Sequence, residues 1–123
     1  MSENTGHVER HPSAAMSAQR LHRWFHVIAA VMLAWLLMMA AHEAGHVVAA
    51  ICSGGKVQKV ELSPLAFSRT DVDPNPHPLF VAWAGFVGGV AIPLAAWAAC
   101  MLTARTWVYL ARFFSGFCFI ANG

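Results

Sequence analysis

The feature that most constrains this sequence is an unbroken apolar run from Trp24 to Cys52, WFHVIAAVMLAWLLMMAAHEAGHVVAAIC, with no proline and one glycine. Ala, Leu and Met fill it, so it predicts a single helix. At 1.5 Å per residue that helix is about 43 Å long, which exceeds the roughly 30 Å hydrocarbon core of a bilayer, so it must tilt or protrude. Gly54 and Gly55 follow at once and supply the residue type that ends a helix. The remainder agrees with a bilayer setting: of 123 residues 58% are hydrophobic and only 11% charged, too apolar for a soluble domain of this size.

Upstream of the run, residues 1–22 are polar, lack apolar periodicity and read as a disordered tail, leaving 23–123 as a membrane-embedded core. Downstream, Lys56 to Pro78 is the one substantial polar connection. KVQKVEL is β-prone, Pro64 interrupts it, and LAFSRT offers a second strand, so a small hairpin is expected here. The prolines of DPNPHP, residues 73–78, form an extended turn into the next apolar run, Leu79 to Met101. That run is long enough to span. Its Gly85 and Gly89 make a GxxxG pair expected to face the first helix, and Pro93 sits inside it. A shorter run, Trp107 to Ala121, ends at Asn122-Gly123, which reads as a chain cut within a third helix or as a helix that breaks at Asn-Gly inside the protein. The expected fold is therefore an all-α polytopic membrane protein of two to three transmembrane helices with a small β-hairpin between the first two.

The formal charge of +2 and the scattered Lys and Arg argue against nucleic acid as a partner. Cys52, Cys100 and Cys118 are odd in number and lie in or beside apolar segments, which suits small core residues better than a disulfide framework. Trp24, Trp83 and Trp107 sit near the ends of apolar runs, where interfacial aromatics anchor helices.

Chemistry concentrates in His42-Glu43-Ala44-Gly45-His46, an HExxH pattern. On a helix, residues four apart share one face about 6 Å apart along the axis, so His42 and His46 can converge on one tetrahedral ion while Glu43 reaches a water beside it as general base. An ionised group well inside a bilayer costs roughly 3 kcal/mol on insertion scales, so Glu43 in an apolar helix calls for a compensating role. The plainer alternative is a histidine pair at the membrane interface with a Glu that reaches out to water.

A long apolar helix carrying HEAGH, then Gly-Gly, the β-prone KVQKVELSPL and a second apolar helix with AGFVGG resembles the site-2 protease family of intramembrane metalloproteases, over about residues 27–95. The resemblance implies Zn2+ held by His42 and His46, Glu43 as the catalytic base, and hydrolysis of peptide bonds in or near membrane-spanning substrates. Two departures stand out. Phe86 takes the place of a proline usual in the family's Ala-Gly-Pro. The family's third ligand, an Asp before Gly on a third core helix, has Asn122-Gly123 as its counterpart, and a neutral amide is a poor zinc ligand beside a carboxylate. The expected third ligand lies beyond Gly123, with Asp71, Asp73 and His77 of the polar loop as alternatives. Asn122 and Phe86 also leave open a noncatalytic scaffold or chaperone that keeps the fold. Haem ligation is a poor reading, because His42 and His46 share one helix face and cannot be opposite axial ligands to one haem.

Overall fold

The computed structural model describes residues 12–122. The described residues divide into two units, with the boundary between Val31 and Met32. Helix α1 runs Pro12–Cys52, strands β1 and β2 are Val57–Glu61 and Arg69–Val72, α2 is Pro78–Thr103, and a 3-10 turn at Arg105–Trp107 leads into α3, Val108–Asn122.

The first unit contributes the start of α1, well ahead of the expected Trp24. The tail expected over 1–22 is thus helical from Pro12 onward, while residues 1–11 lie outside the described part. The physical reason is composition: SAAMSAQRLH is rich in good helix formers, and Pro12 suits a first turn, where its missing N–H costs nothing. Polar helices carry no apolar period to betray them. Along this stretch Leu21, Trp24, Phe25 and Ile28 are exposed, and His26 Nδ1 donates to the His22 carbonyl at 2.8 Å.

In the second unit α1 ends as the Gly-Gly pair predicts. Gly54 adopts φ +78°, its N–H reaches the Ile51 carbonyl at 3.3 Å, and the Gly55 N–H reaches Ala50 at 2.8 Å. These are the paired bonds of a Schellman motif, which satisfy carbonyls the helix end would otherwise leave bare. A Cβ at Gly54 meets nothing within 4 Å, so the cost of a side chain there is backbone strain alone. Gly54→Ala is expected to lower stability by about 1 kcal/mol, measured as a reduced Tm in detergent.

The hairpin forms where expected, but its second strand starts at Arg69 instead of Leu65. Pro64 and a bond from the Ser63 N–H to Ser68 Oγ, 3.4 Å, fold residues 63–68 into a closed loop in place of an extended strand. Lys59, Val60 and Glu61 pair with Asp71, Thr70 and Arg69, while Val57 pairs with Val72 across a bulge. The bulge resets the side-chain alternation, so Val57 and Val72 both pack on the helices against Ala49, Ala50 and Val81. On the outer face Glu61 binds Lys59 at 3.0 Å and Arg69 at 3.7 Å, and Arg69 also meets Asp71 at 3.4 Å. The Lys59 hydrogen bond and charge, with Arg69 beyond, hold the Glu61 carboxyl below its ordinary range. The network is solvent-exposed and contributes little to stability.

The buried residues are small or unbranched for the most part: Ala34, Met38, Met39, Ala41, Ala49, Ala50, Val81 and Cys118. Large aliphatic and aromatic side chains of α2, among them Leu79, Phe80, Trp83 and Val87, point outward. Two helical stretches, Met16–Cys52 and Pro78–Thr103, are long and apolar enough to cross a bilayer, and α3 at 15 residues falls short of that length.

The glycine face of α2 divides its work in a way that GxxxG spacing alone does not predict. Gly85 lies against His42 and His46 of α1 as expected, but Gly88 is the one against Gly45, whose Cα is 2.6 Å from where a Gly88 Cβ would stand. Gly89 faces Asn122 of α3. At 3.6 residues per turn, positions 88 and 89 lie about 60° to one side and about 40° to the other side of 85, and the two sides meet different helices. Pro93 is fully buried on the same helix, with its carbonyl 2.9 Å from Ser115 Oγ of α3, which ties α3 to α2.

Candidate metal centre and active site

His42 and His46 lie one turn apart on α1 with ring centroids 4.9 Å apart and planes at 74°. Each ring is fixed through Nδ1. His46 Nδ1 lies 2.6 Å from the Val81 carbonyl oxygen, and because a carbonyl only accepts, that nitrogen carries the proton. His42 Nδ1 lies 2.8 Å from Asn122 Oδ1, whose identity as oxygen follows from the donation of Asn122 Nδ2 to the Cys118 carbonyl at 2.9 Å. In a neutral imidazole only one nitrogen holds a proton, so both Nε2 atoms present free lone pairs. Both Nε2 atoms pack near Gly85: a Cβ built there would overlap His46 Nε2 and stand 2.7 Å from His42 Nε2. Glycine gives the two rings room.

Glu43 is 3% exposed, and Thr70 Oγ1 of β2 donates to its Oε2 at 2.6 Å. A cavity of about 320 Å³ opens over this group, lined by His42, Glu43, His46, Thr70 and Asn75. The Asn75 Oδ1 is buried without a hydrogen-bond partner. By sequence Asn75 is an ordinary turn former among prolines, and Thr70 has no evident role. Nothing in the local sequence links Thr70 to a glutamate 27 positions away, because only the hairpin's return over α1 brings them together.

The loop alternatives for a third ligand are not brought to the imidazoles. Among the described residues no group of three or more His, Cys, Asp or Glu gathers where a metal ion could bind, so Asp71, Asp73 and His77 do not complete a site with His42 and His46. Asp71 turns to Arg69 on the outer hairpin face, and His77 precedes the first residue of α2. Asn122 reaches the pair, but by accepting from the Nδ1 of His42, not by joining the Nε2 atoms.

The chemistry of two imidazoles one turn apart, each ring oriented by a hydrogen bond at Nδ1, is that of a borderline divalent ion such as zinc. A helical body with HExxH on its longest helix, and two helices long and apolar enough to cross a bilayer, defines a class, the helical HExxH proteins. The sequence model of the Peptidase M50B-like family matches residues 14–122, and the chain belongs to that family, the site-2 protease type of peptidase. The match runs past the resemblance at 27–95 on both sides, through α3 to Asn122. No curated protein and no solved structure matches the chain.

Proposed function

We propose that the chain is an intramembrane zinc metalloendopeptidase that hydrolyses peptide bonds in or near membrane-spanning substrates, with His42 and His46 as metal ligands through Nε2 and Glu43 as general base. The observation that carries the reading is the pair of imidazoles one helical turn apart, each held through Nδ1 with its Nε2 packed near Gly85, and the buried Glu43 beside them. Bound zinc would supply Lewis acidity, polarising the scissile carbonyl and easing deprotonation of water. The chain's own residues do the rest. Glu43 takes the proton of the attacking water and returns it to the leaving amine. Thr70 occupies one carboxylate oxygen, which leaves the other free to face the water. The free edge of the hairpin offers backbone groups to an extended peptide, as strand addition requires, and so holds a substrate helix unwound at the scissile bond.

A bilayer setting is supported by the inverted packing, small residues inside and large apolar ones outside, which is how helices pack when the surrounding medium is as apolar as they are. The multi-pass topology with α1 and α2 as crossings rests on this and on their length. A noncatalytic scaffold is the competing reading, favoured by the lack of a third acidic, His or Cys ligand among the described residues. The two part on one experiment: zinc content of the purified full-length protein, and cleavage of a membrane-anchored reporter, each compared with His42→Ala and His46→Ala. Stoichiometric zinc and cleavage, both lost in the variants, are expected. Zinc-free protein under zinc-replete expression would leave the scaffold.

The Thr70 contact carries its own expectation. Thr70→Val keeps the shape and removes the donor, and a hydrogen bond to a charged group is worth about 1.5–3 kcal/mol, so turnover should fall roughly 10- to 100-fold. KM and zinc content should hold, and Thr70→Ser should restore the rate.

A further inference from the structure

A second cavity, of about 610 Å³, adjoins the first and is lined by Trp35, Met38 and Met39 of α1, the loop 64–68, His42, Glu43 and the end of α3. We propose that it is the specificity pocket of the peptidase, which receives a large apolar side chain, Leu, Met or Phe, of the residue flanking the scissile bond. This rests on the endopeptidase reading and names what that site selects.

Continuity identifies the occupant. His42, Glu43 and Ser68 line both cavities, so a chain laid across the polar one with its scissile carbonyl at Glu43 has a neighbouring side chain over the apolar one. Its size falls within the roughly 300–1,000 Å³ of ligand pockets. Apolar residues make up most of the wall, and of its polar members His42, Ser68 and Asn122 are already hydrogen-bonded within the protein, so an apolar side chain matches it best. The floor is two methionines, each 6% exposed, whose unbranched and polarisable side chains adapt to differently shaped apolar guests.

The opposite wall is held in place. Ser68 Oγ donates to Met39 Sδ at 3.2 Å and accepts from the Ser63 N–H at 3.4 Å, so the loop is closed on itself and fastened to α1 at the pocket floor. Leu65 and Phe67 on that loop are 95% and 98% exposed, which places unpartnered apolar surface at the mouth. An incoming apolar segment finds the same chemistry at the lip as on the floor.

The test is the zinc-loaded full-length protein in detergent, given a degenerate peptide library, with cleavage sites mapped by mass spectrometry. Leu, Met or Phe should exceed Ala by about tenfold or more at one position beside the cleaved bond, as expected for several methylenes in an apolar pocket. Met39→Trp, which fills the floor, should move the preference to Ala and Gly. Met39→Ala, which deepens it, should move the preference to Phe and Trp, and helical circular dichroism identifies either variant that fails to fold. Cleavage without preference at any flanking position, or with a preference that both folded variants leave unchanged, overturns the pocket and leaves the endopeptidase standing. No cleavage of any peptide by zinc-loaded protein overturns both.

Discussion

Glu43→Gln is expected to keep zinc at the wild-type level while hydrolysis of a membrane-anchored reporter falls by about two to four orders of magnitude, the usual range for loss of a general base. The substitution preserves size and leaves His42 and His46 untouched, with their Nδ1 bonds to Asn122 and Val81. The introduced amide can still accept from Thr70 through its oxygen, so the hairpin keeps its tie to α1. What disappears is the capacity to take and return a proton. His42→Ala and His46→Ala should instead lose both metal and activity, since a tetrahedral site seldom survives removal of a protein ligand. The separation of metal from turnover is the measurement that matters, made by metal analysis and reporter cleavage on the same preparations. Full activity of Glu43→Gln would end the general-base role, and loss of zinc equal to that of the histidine variants would make Glu43 a ligand or a structural group.

Legibility in the sequence follows range. HEAGH declares itself because its three groups are local, one helical turn apart, and the Gly54-Gly55 stop is readable because a Schellman cap has a one-residue conformational demand that glycine meets. Residues 12–23 are not legible as helix, since their sequence carries no apolar period. The apolar LAF suggests a strand that the loop closed by Ser63 and Ser68 replaces, with β2 taken up by RTDV. Everything that orients the HExxH groups comes from far along the chain: the Val81 carbonyl, Asn122 and Thr70. Asn122 is instructive. As a candidate ligand it is weak on chemical grounds, and its place in the structure is the one an amide fills well, accepting from an imidazole N–H.

Gly85 joins the two kinds of information, because its spacing marks it for helix packing and it is packed against both imidazoles of the candidate metal site. Gly85→Ala is therefore expected to weaken zinc binding by about 100-fold or more, at or beyond the upper end of what loss of a ligand's supporting contact costs. The added Cβ would overlap His46 Nε2 and crowd His42 Nε2 at 2.7 Å. A free side chain would swing aside at little cost, but His46 can move only by giving up the Val81 carbonyl, and His42 only by giving up Asn122. Either movement leaves a buried polar group short of a partner and turns an Nε2 away from the shared point. Overpacking should also lower stability, by about 1–3 kcal/mol, so the informative control is Gly116→Ala in α3, where a Cβ meets nothing within 4 Å and neither zinc nor Tm should fall. Zinc affinity follows from competition with a chelator of known strength, and helical content from circular dichroism on the same samples. A folded Gly85→Ala protein that binds zinc as tightly as the parent would show that the two imidazoles do not share a metal at this glycine, and the proposed site would have to be abandoned.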